Sequence, residues 1–584
     1  MTPTAPKTVV RFLPSLTDVA FLLPIIFQFN QLGGATAMLG DGDTGWHLRT
    51  GEWILSHGQV PHHDMFSFTR PGQPWYAWEW LWDVTFGLLH QHFGMPAVIA
   101  VSVLLLSLTS ALLYRLVLRK CGNPLLAIAI TGLADACSSI HWLARPHLFT
   151  MLFTVIFLHI VDRVYVAGIE GQQLERRFGI PKLLWVLPPL MVLWTNLHGG
   201  FVSGLLILGA YAGGGLLSMI LSPEIQERGR ILARVKPFLF CGGFCAIATS
   251  VNPYFLALHS HILKYLGDPY LYEHISEFQA FGFGAPSARY VEPLMGLAVA
   301  AICWNIYRRR FEYAVLLAGW LHLGLHAQRN IALFSIACAP MVAEAVTMGL
   351  RQLESCRVAG WLKLAAEKIE TLGVEILQTD RIPRFHLVSV ASIALLAAIL
   401  FAPHPPKSFQ AAYDPKNYPV DAARVLERDG DDRIFASDIW GGYLIYRLYP
   451  KTKVFIDGRS DFYGADFGLK YLDVVCAKYD WEANVARYGV ETIVLPADSP
   501  LSTALKVNPR WHLVYDDKVA IIFRLANGRR RIQQVSNCPN RGTGEGGAKL
   551  CAAASSMGGG ELPGSVPSET QHRSGERPAK ASTT

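Results

Sequence analysis

The chain has 584 residues, of which 51% are hydrophobic and only 17% are charged. Soluble domains carry about 25% charged residues, so this deficit excludes an ordinary soluble enzyme and indicates a membrane protein. The net charge of +7 follows a topological pattern, described below, and requires no nucleic-acid partner. No CxxC motif occurs, so the sequence signals neither a zinc site nor a redox pair.

Eleven apolar segments approach the length of about 20 residues that a helix needs to cross the hydrocarbon core of a bilayer. They cover residues 17–39, 94–117, 124–143, 146–166, 183–197, 199–221, 237–251, 291–307, 313–326, 330–349 and 386–402. Those at 183–197, 237–251 and 313–326 are short for a crossing. The pattern predicts a polytopic α-helical membrane protein with about 11 transmembrane helices within residues 1–402.

The loops between these segments alternate in positive charge. One set is rich in cations: Arg115, Arg119 and Lys120; Arg176, Arg177 and Lys182; Arg228 to Lys236; Arg308 to Arg310; and Arg351 to Arg384. The opposite set contains only scattered cations. The positive-inside rule then places the N-terminus in the cytoplasm, and eleven crossings leave the C-terminal region outside. We expect a multi-pass membrane protein.

The N-terminus has a second interpretation. Lys7 and Arg11, an apolar run and a small-residue stretch at 35–37 resemble a cleavable signal peptide. The run is long, however, and Gln28 and Asn30 interrupt it. An uncleaved first crossing is therefore preferred.

The first outer loop, residues 40–82, concentrates the polar chemistry of the chain. Asp41 and Asp43 follow the first crossing directly, where a carboxylate can face a lipid-borne substrate. Such an acid can take the proton from an acceptor hydroxyl in glycosyl transfer. Alternatively, the pair can hold a divalent cation that neutralises a leaving phosphate, or form a turn that caps a helix over residues 45–57.

Other residues of this loop are weaker candidates. His47, His62, His63 and Asp64 are zinc-ligand types without a recognised spacing, so surface or turn histidines are favoured. Trp78 suits a membrane-surface aromatic belt, with stacking on a sugar face as a second role. Glu79 is either a second acid for the same cavity or a charge stabilised at a helix N-terminus.

Later outer loops contribute further polar groups on the same side, among them Arg145, His198 and Arg329. A guanidinium binds phosphate through two parallel hydrogen bonds, so Arg145 and Arg329 are candidates for gripping a lipid-linked phosphate. The alternative is that each is an ordinary interfacial arginine whose side chain snorkels to water.

The composition changes after the last crossing. Residues 403–416 read as a linker, and residues 417–525 alternate short β-rich runs with helical ones, which predicts a compact α/β domain with a largely parallel sheet. Only Asp516, Asp517 and Lys518 separate its last two strands, which predicts a closing hairpin. We expect this extracytoplasmic domain to dock on the membrane part or on an acceptor rather than to perform chemistry.

Two further segments flank this region. The inner segment at about 350–385 has apolar residues three and four apart, which predicts an interfacial amphipathic helix. Residues 526–584 are rich in Gly, Ser, Pro, Arg and Ala without periodicity, which predicts a disordered tail.

The motifs GDxxWHLRTGEWIL, VPHHDMFSFT and PWYAWEWL of the first loop resemble bacterial members of the GT-C glycosyltransferase superfamily, in the branch similar to protein mannosyltransferases and lipid A aminoarabinose transferases. The later stretches NLHGGFVSG, VNPYF, QRNIALFSIACAP and WGGYLIYRLYP…KVFIDGRSDFYG resemble the same proteins. The resemblance covers residues 1–525. It implies a polyprenyl-phosphate-linked sugar donor, an active site on the outer face, and a first-loop aspartate as base, with Asp41 and Asp43 both available.

These observations favour a membrane glycosyltransferase that moves a sugar to a glycan, lipid or protein acceptor of the envelope. Asp41 or Asp43 would be catalytic, and Arg145, His198, Arg329, Glu79, Trp78 and His47 would bind substrates. A transporter or flippase of lipid-linked precursors is an alternative, but no internal repeat is visible. A non-catalytic envelope scaffold is a third.

Overall fold

The computed structural model describes residues 10–353, 359–380 and 382–526. Each of the eleven apolar segments coincides with a helix. The helices of this part are α1 (Leu16–Asn30), α2 (Asp43–His57), α3 (Trp80–Cys121), α4 (Pro124–Ser138), α5 (His147–Ile169), α6 (Leu187–Leu197), α7 (Val202–Leu221), α8 (Ile225–Ala248), α9 (Leu256–Leu266), α10 (Pro269–His274), α11 (Ala288–Tyr307), α12 (Phe311–His326), α13 (Ile331–Leu353), α14 (Gly360–Asp380) and α15 (Leu387–Leu400).

Seven helical segments within the described residues are long and apolar enough to cross a membrane. They are Trp80–Cys121, Pro124–His141, His147–Ile169, Gly199–Leu221, Ile225–Ala248, Ala288–Tyr307 and Gln328–Leu353. Three shorter apolar helical segments, at Leu16–Asn30, Lys182–Leu197 and Leu387–Leu400, accompany them. A polytopic helical membrane protein is therefore confirmed, and the count of eleven crossings stays a prediction.

The longest of these, α3, is two helices joined at a kink. Gly94 has φ 69° and ψ −172°, a conformation open only to glycine, and Pro96 follows it. Residues before Gly94 pack beside α2, and those after it enter the bundle.

The predicted interfacial helix lies at Gly360–Asp380. Only two of its side chains are buried, and Trp361 is 71% exposed. A helix that leaves its apolar side chains uncovered by protein fits a position on the membrane surface.

The C-terminal part holds a five-stranded sheet with helices around it. Its elements are α16 (Val420–Asp429), β3 (Arg433–Ala436), α17 (Asp438–Leu448), β4 (Lys453–Val454), α18 (Ser460–Tyr463), α19 (Ala465–Val475), α20 (Trp481–Arg487), β5 (Thr492–Pro496), α21 (Pro500–Val507), β6 (Trp511–Asp516) and β7 (Ala520–Leu525); β1 (Arg176–Arg177) and β2 (Ile180–Pro181) pair separately. The predicted strands and helices are all present. The tail from 527 onward lies outside the described residues.

The sheet order is β4-β3-β5-β7-β6, with two parallel and two antiparallel pairings. The expectation of a largely parallel sheet is therefore wrong for half of it. The closing hairpin β6–β7 is confirmed, and β7 inserts beside β5, which forces an antiparallel pairing there. The sequence shows the order of strands along the chain but not which of them become neighbours.

Helix α17 packs directly on α2 through glycines. A Cβ added at Gly45 would lie 2.5 Å from the carbonyl oxygen of Gly442, and one added at Gly442 would lie 2.4 Å from that of Gly42. Backbone can approach backbone this closely only without side chains. The C-terminal part is thereby fixed on the first loop, as its predicted docking role requires.

Candidate active site

One large cavity, of about 480 Å³, lies where the first loop, the membrane helices and the C-terminal sheet region meet. The C-terminal wall contains Asp438, Gly458, Ser460 and Asp461. The wall from α7, α12 and α13 is apolar, with Leu206, Trp320, Leu323 and Leu333. Leu206, in this apolar wall, is 45% exposed.

Asp41 and Asp43 both line this cavity, and both bind the same arginine. Nη1 of Arg145 donates to Oδ2 of Asp41, and Nη2 lies 2.9 Å from Oδ2 of Asp43. Nη1 also lies 3.0 Å from Oε1 of Glu277. The side chains of Asp41 and Asp43 are only 19% and 14% exposed, so neither carboxylate lies in open solvent.

Local structure fixes the two acids. Helix α2 begins at Asp43, and the backbone N–H of Asp43 donates to Oδ1 of Asp41 at 2.8 Å. Both carboxylates thus lie at the positive end of the helix dipole. Gly458 of the C-terminal part approaches so closely that an added Cβ would lie 2.1 Å from Oδ1 of Asp43.

Burial and charge change the acidity of this cluster. Burial, with the negative charge of Asp41, raises the pKa of Asp43 to about 7. Burial alone would raise the pKa of Glu277, but the positive charge of Arg145 lowers it to about 2. Burial alone would lower the pKa of Arg145, but the negative charges of Asp41 and Asp43 raise it above the usual range. Asp43, a carboxyl group with a pKa near 7, therefore lies beside the permanently charged Arg145.

A second polar cluster, Glu79, His47, His198 and Asp83, lines the same cavity. Nε2 of His47 lies 3.3 Å from Oε2 of Glu79, and Nε2 of His198 lies 3.4 Å from Oε1. Burial raises the pKa of Glu79 to about 8. Burial, aided by the charge of Arg145, lowers the pKa of His47 well below its usual value.

The remaining predicted substrate residues also lie at the cavity. The guanidinium of Arg329 stands 4.3 Å from the ring centroid of Phe278, and among the described residues no carboxylate pairs with it. Trp78 contacts His261 edge to face, with ring centroids 5.1 Å apart. An arginine without a carboxylate partner keeps its donors for a ligand.

The two acids do not fit a divalent cation in this arrangement. Both Oδ2 atoms bind Arg145, and Oδ1 of Asp41 accepts the N–H of Asp43, so a single oxygen of the pair is left for a metal. Within the described residues no group of three or more potential ligands has metal-binding geometry. The zinc-ligand residue types of the first loop do not form a site either. His62 and His63 are exposed, and Asp64 binds Arg459 at 2.8 Å.

Sequence analysis missed the contribution of the C-terminal part to the cavity. Arg459 is 2% exposed, binds Asp64 and Asp457, and stands 4.6 Å from the ring centroid of Trp75. Asp461 lies 3.0 Å from Nε2 of His261. The signal in the sequence is the run DGRSD after a β-rich segment, because sites often lie where strands end.

Comparison with known proteins supports the fold. No protein-family model and no curated protein matches this chain. The structure is similar to the crystal structure of the Archaeoglobus fulgidus oligosaccharyltransferase tethered by a disulfide bond to an acceptor peptide containing the NVT sequon, with TM-score 0.53 and 12% identity over 88% of this chain and 74% of that chain. The apo form of that enzyme gives a TM-score of 0.49 at 12% identity, over 88% and 74% of the two chains.

At 12% identity the similarity concerns the fold alone. The chain therefore has a fold like that of this oligosaccharyltransferase, and the resemblance of its first-loop motifs to the GT-C superfamily stays a prediction. The assignment to the branch of mannosyltransferase-like and aminoarabinose transferase-like proteins stays a prediction.

Proposed function

We propose that this protein is a membrane glycosyltransferase that moves a sugar from a polyprenyl-phosphate-linked donor to an envelope acceptor. The observation that carries the proposal is the pair of carboxylates, Asp41 and Asp43, held by Arg145 in a cavity that also contains Arg329. A base and phosphate-binding cations in one partly enclosed space are what glycosyl transfer from a lipid phosphate requires. The GT-C-like fold is consistent with it.

Asp43 is the proposed base. Its pKa of about 7 suits a group that must take a proton at neutral pH. The acceptor hydroxyl attacks the anomeric carbon and loses its proton to Asp43, while the bond from that carbon to the phosphate oxygen breaks with its electrons on the phosphate. Asp41 and Arg145 position Asp43, since both contact it directly.

Arg329 is the proposed phosphate ligand. It lies next to the apolar wall of α7, α12 and α13, where a polyprenyl chain would enter from the membrane near Leu206. The C-terminal wall, with Asp438, Ser460 and Asp461, is polar, and an acceptor would enter beside it from water. The site would face the extracytoplasmic side of a bacterial inner membrane, with the N-terminus in the cytoplasm.

The divalent cation considered for Asp41 and Asp43 stays a prediction that the present geometry does not favour. We propose instead that Arg145 supplies the positive charge beside the base, because both Oδ2 atoms already bind it. The reaction would then proceed unchanged in the presence of EDTA.

The experiment compares the glycolipids and glycoproteins of the cell envelope, by mass spectrometry, in cells that express wild type, Asp41→Asn or Asp43→Asn. We expect Asp43→Asn to abolish one glycan modification while the protein still accumulates in the membrane. Asp498→Asn is the matched control, since Asp498 is exposed and does not line the cavity. Normal glycans with both variants would contradict the proposal, and movement of a lipid-linked sugar without a covalent product would favour the flippase.

A further inference from the structure

Glu79 lies between two imidazoles whose proton positions can be worked out in part. The backbone N–H of Gly200 donates to Nδ1 of His198 at 3.0 Å, so Nδ1 is an acceptor. Oγ1 of Thr150 lies 2.7 Å from the same nitrogen. In neutral His198 the proton is therefore on Nε2, which faces Oε1 of Glu79. This half of the cluster has one proton arrangement.

The other half has more than one. Nδ1 of His47 lies 2.6 Å from Oδ1 of Asp83, and Nε2 lies 3.3 Å from Oε2 of Glu79. Neutral His47 carries one N–H, so one of the two carboxyl groups meets a bare nitrogen. Because a bare nitrogen only accepts, that carboxyl group can hydrogen-bond to His47 only if it is itself protonated. The proton can be on Glu79, on Asp83, or between them on His47 as an imidazolium.

Burial distinguishes the two ends of the series Glu79, His47 and Asp83. All three groups line the cavity, but the side chains of His47 and Asp83 are each 1% exposed, whereas that of Glu79 is 12% exposed. Oδ2 of Asp83 is buried without a hydrogen-bond partner among the described residues. A fully ionised carboxylate is costly there, so a proton at the buried end has a physical reason.

We propose that Glu79, His47 and Asp83 share one proton, and that a phosphate group entering the cavity draws this proton from Asp83 to Glu79. The Asp83 O–H bond breaks as Nδ1–H forms, and Nε2–H breaks as the Glu79 O–H bond forms. The negative charge moves from Glu79 to Asp83, and the three groups together gain and lose no proton. The contact of 3.3 Å between His47 and Glu79 must shorten for the transfer, as hydrogen bonds in unliganded sites often do on binding.

Electrostatics supplies the driving force. A phosphate bound at Arg329 adds negative charge near Glu79, and the negatively charged Asp43 and Asp461 also act on it, against the positive Arg145 and Arg329. Like charges at short range in a partly buried site repel strongly, so the ionised form of Glu79 becomes unfavourable. Protonated Glu79 then offers a neutral hydrogen-bond donor to the phosphate. The identity of the ligand rests on the proposed function, but the shared proton does not.

The test uses the full chain in lipid nanodiscs and infrared difference spectroscopy, with polyprenyl phosphate as the probe and polyprenol, which lacks the phosphate, as the control ligand. We expect one carboxylic-acid C=O band to be lost and another to appear on adding polyprenyl phosphate, both shifting in D₂O. Glu79→Gln should remove the band that appears, and Asp83→Asn the band that is lost. His47→Gln, which cannot carry the proton, should remove the paired change at saturating ligand.

A wild-type spectrum without this paired change at saturating polyprenyl phosphate overturns the proposal, and so does an unchanged pair of bands in His47→Gln. Absence of polyprenyl phosphate binding overturns it too. The D₂O measurement on wild type decides the question even if a variant fails to fold. Because no turnover is required, a protein that shows the bands but transfers no sugar would refute the proposed function and leave the shared proton intact.

Discussion

Replacing Gly458 with alanine tests whether the C-terminal part shapes the candidate active site. The added Cβ would lie 2.1 Å from Oδ1 of Asp43, well inside the 3.4 Å at which ordinary contact begins. The carboxylate must therefore move by about 1 Å, which breaks its 2.9 Å contact with Arg145. Misplacing a catalytic group by about 1 Å can lower the rate about 100-fold, or about 2.7 kcal/mol in activation free energy.

Stability should change far less than activity. The clashing atom is the end of a side chain, so the free energy of unfolding is expected to stay within about 1 kcal/mol of wild type. The assay is the amount of glycosylated product per amount of membrane protein, together with the thermal unfolding temperature. Gly284→Ala is the control, because no atom lies within 4 Å of the Cβ it would add.

A double-mutant cycle shows whether the effect passes through Asp43. If Gly458→Ala acts by breaking the contact of that carboxylate with Arg145, combining it with Arg145→Lys should lower the activity by less than the product of the two separate losses. Full activity of Gly458→Ala, or an activity loss that merely follows a loss of folded protein, would refute the reasoning.

Three further predictions follow from the same contacts. Arg145→Lys keeps a charge but not the two-pronged contact with Asp41 and Asp43, so product formation should fall at least about 100-fold, with exposed Arg289→Lys unchanged. If Asp43 is the base, the transfer rate should rise with pH through about 7, because this carboxyl group must lose its proton before it can accept another. Asp41→Asn removes the negative charge that raises the pKa of Asp43 and should move this rise to lower pH. A rise that persists in the residual activity of Asp43→Asn would be contrary evidence. Arg459→Leu leaves Asp64 and Asp457 buried without their partner and should lower the free energy of unfolding by about 3–5 kcal/mol, measured by denaturant titration; Arg424→Leu, at an exposed ion pair, should change it by less than about 1 kcal/mol.

Much of the secondary structure can be predicted from short stretches of the sequence. The apolar segments and the amphipathic segment before Asp380 form helices, and the β-rich runs of the C-terminal part form strands. Hydrophobicity and its period are properties of neighbouring residues, so a single sequence is enough to show them. The acids Asp41 and Asp43 stood out for the same reason, as a dense polar cluster between two apolar segments.

Tertiary structure alone decided how these parts meet. Arg145 lies about a hundred positions from the acids that it joins, and Gly458 and Arg459 contact the first loop from about four hundred positions further along the chain. The sheet neighbours of β5 and the pairing of His47 with Asp83 were equally invisible. Composition and spacing show which chemical groups a stretch of chain contains. Distances between remote stretches are set only when packing brings their backbones together. Those distances place the separate acids and arginines in one site.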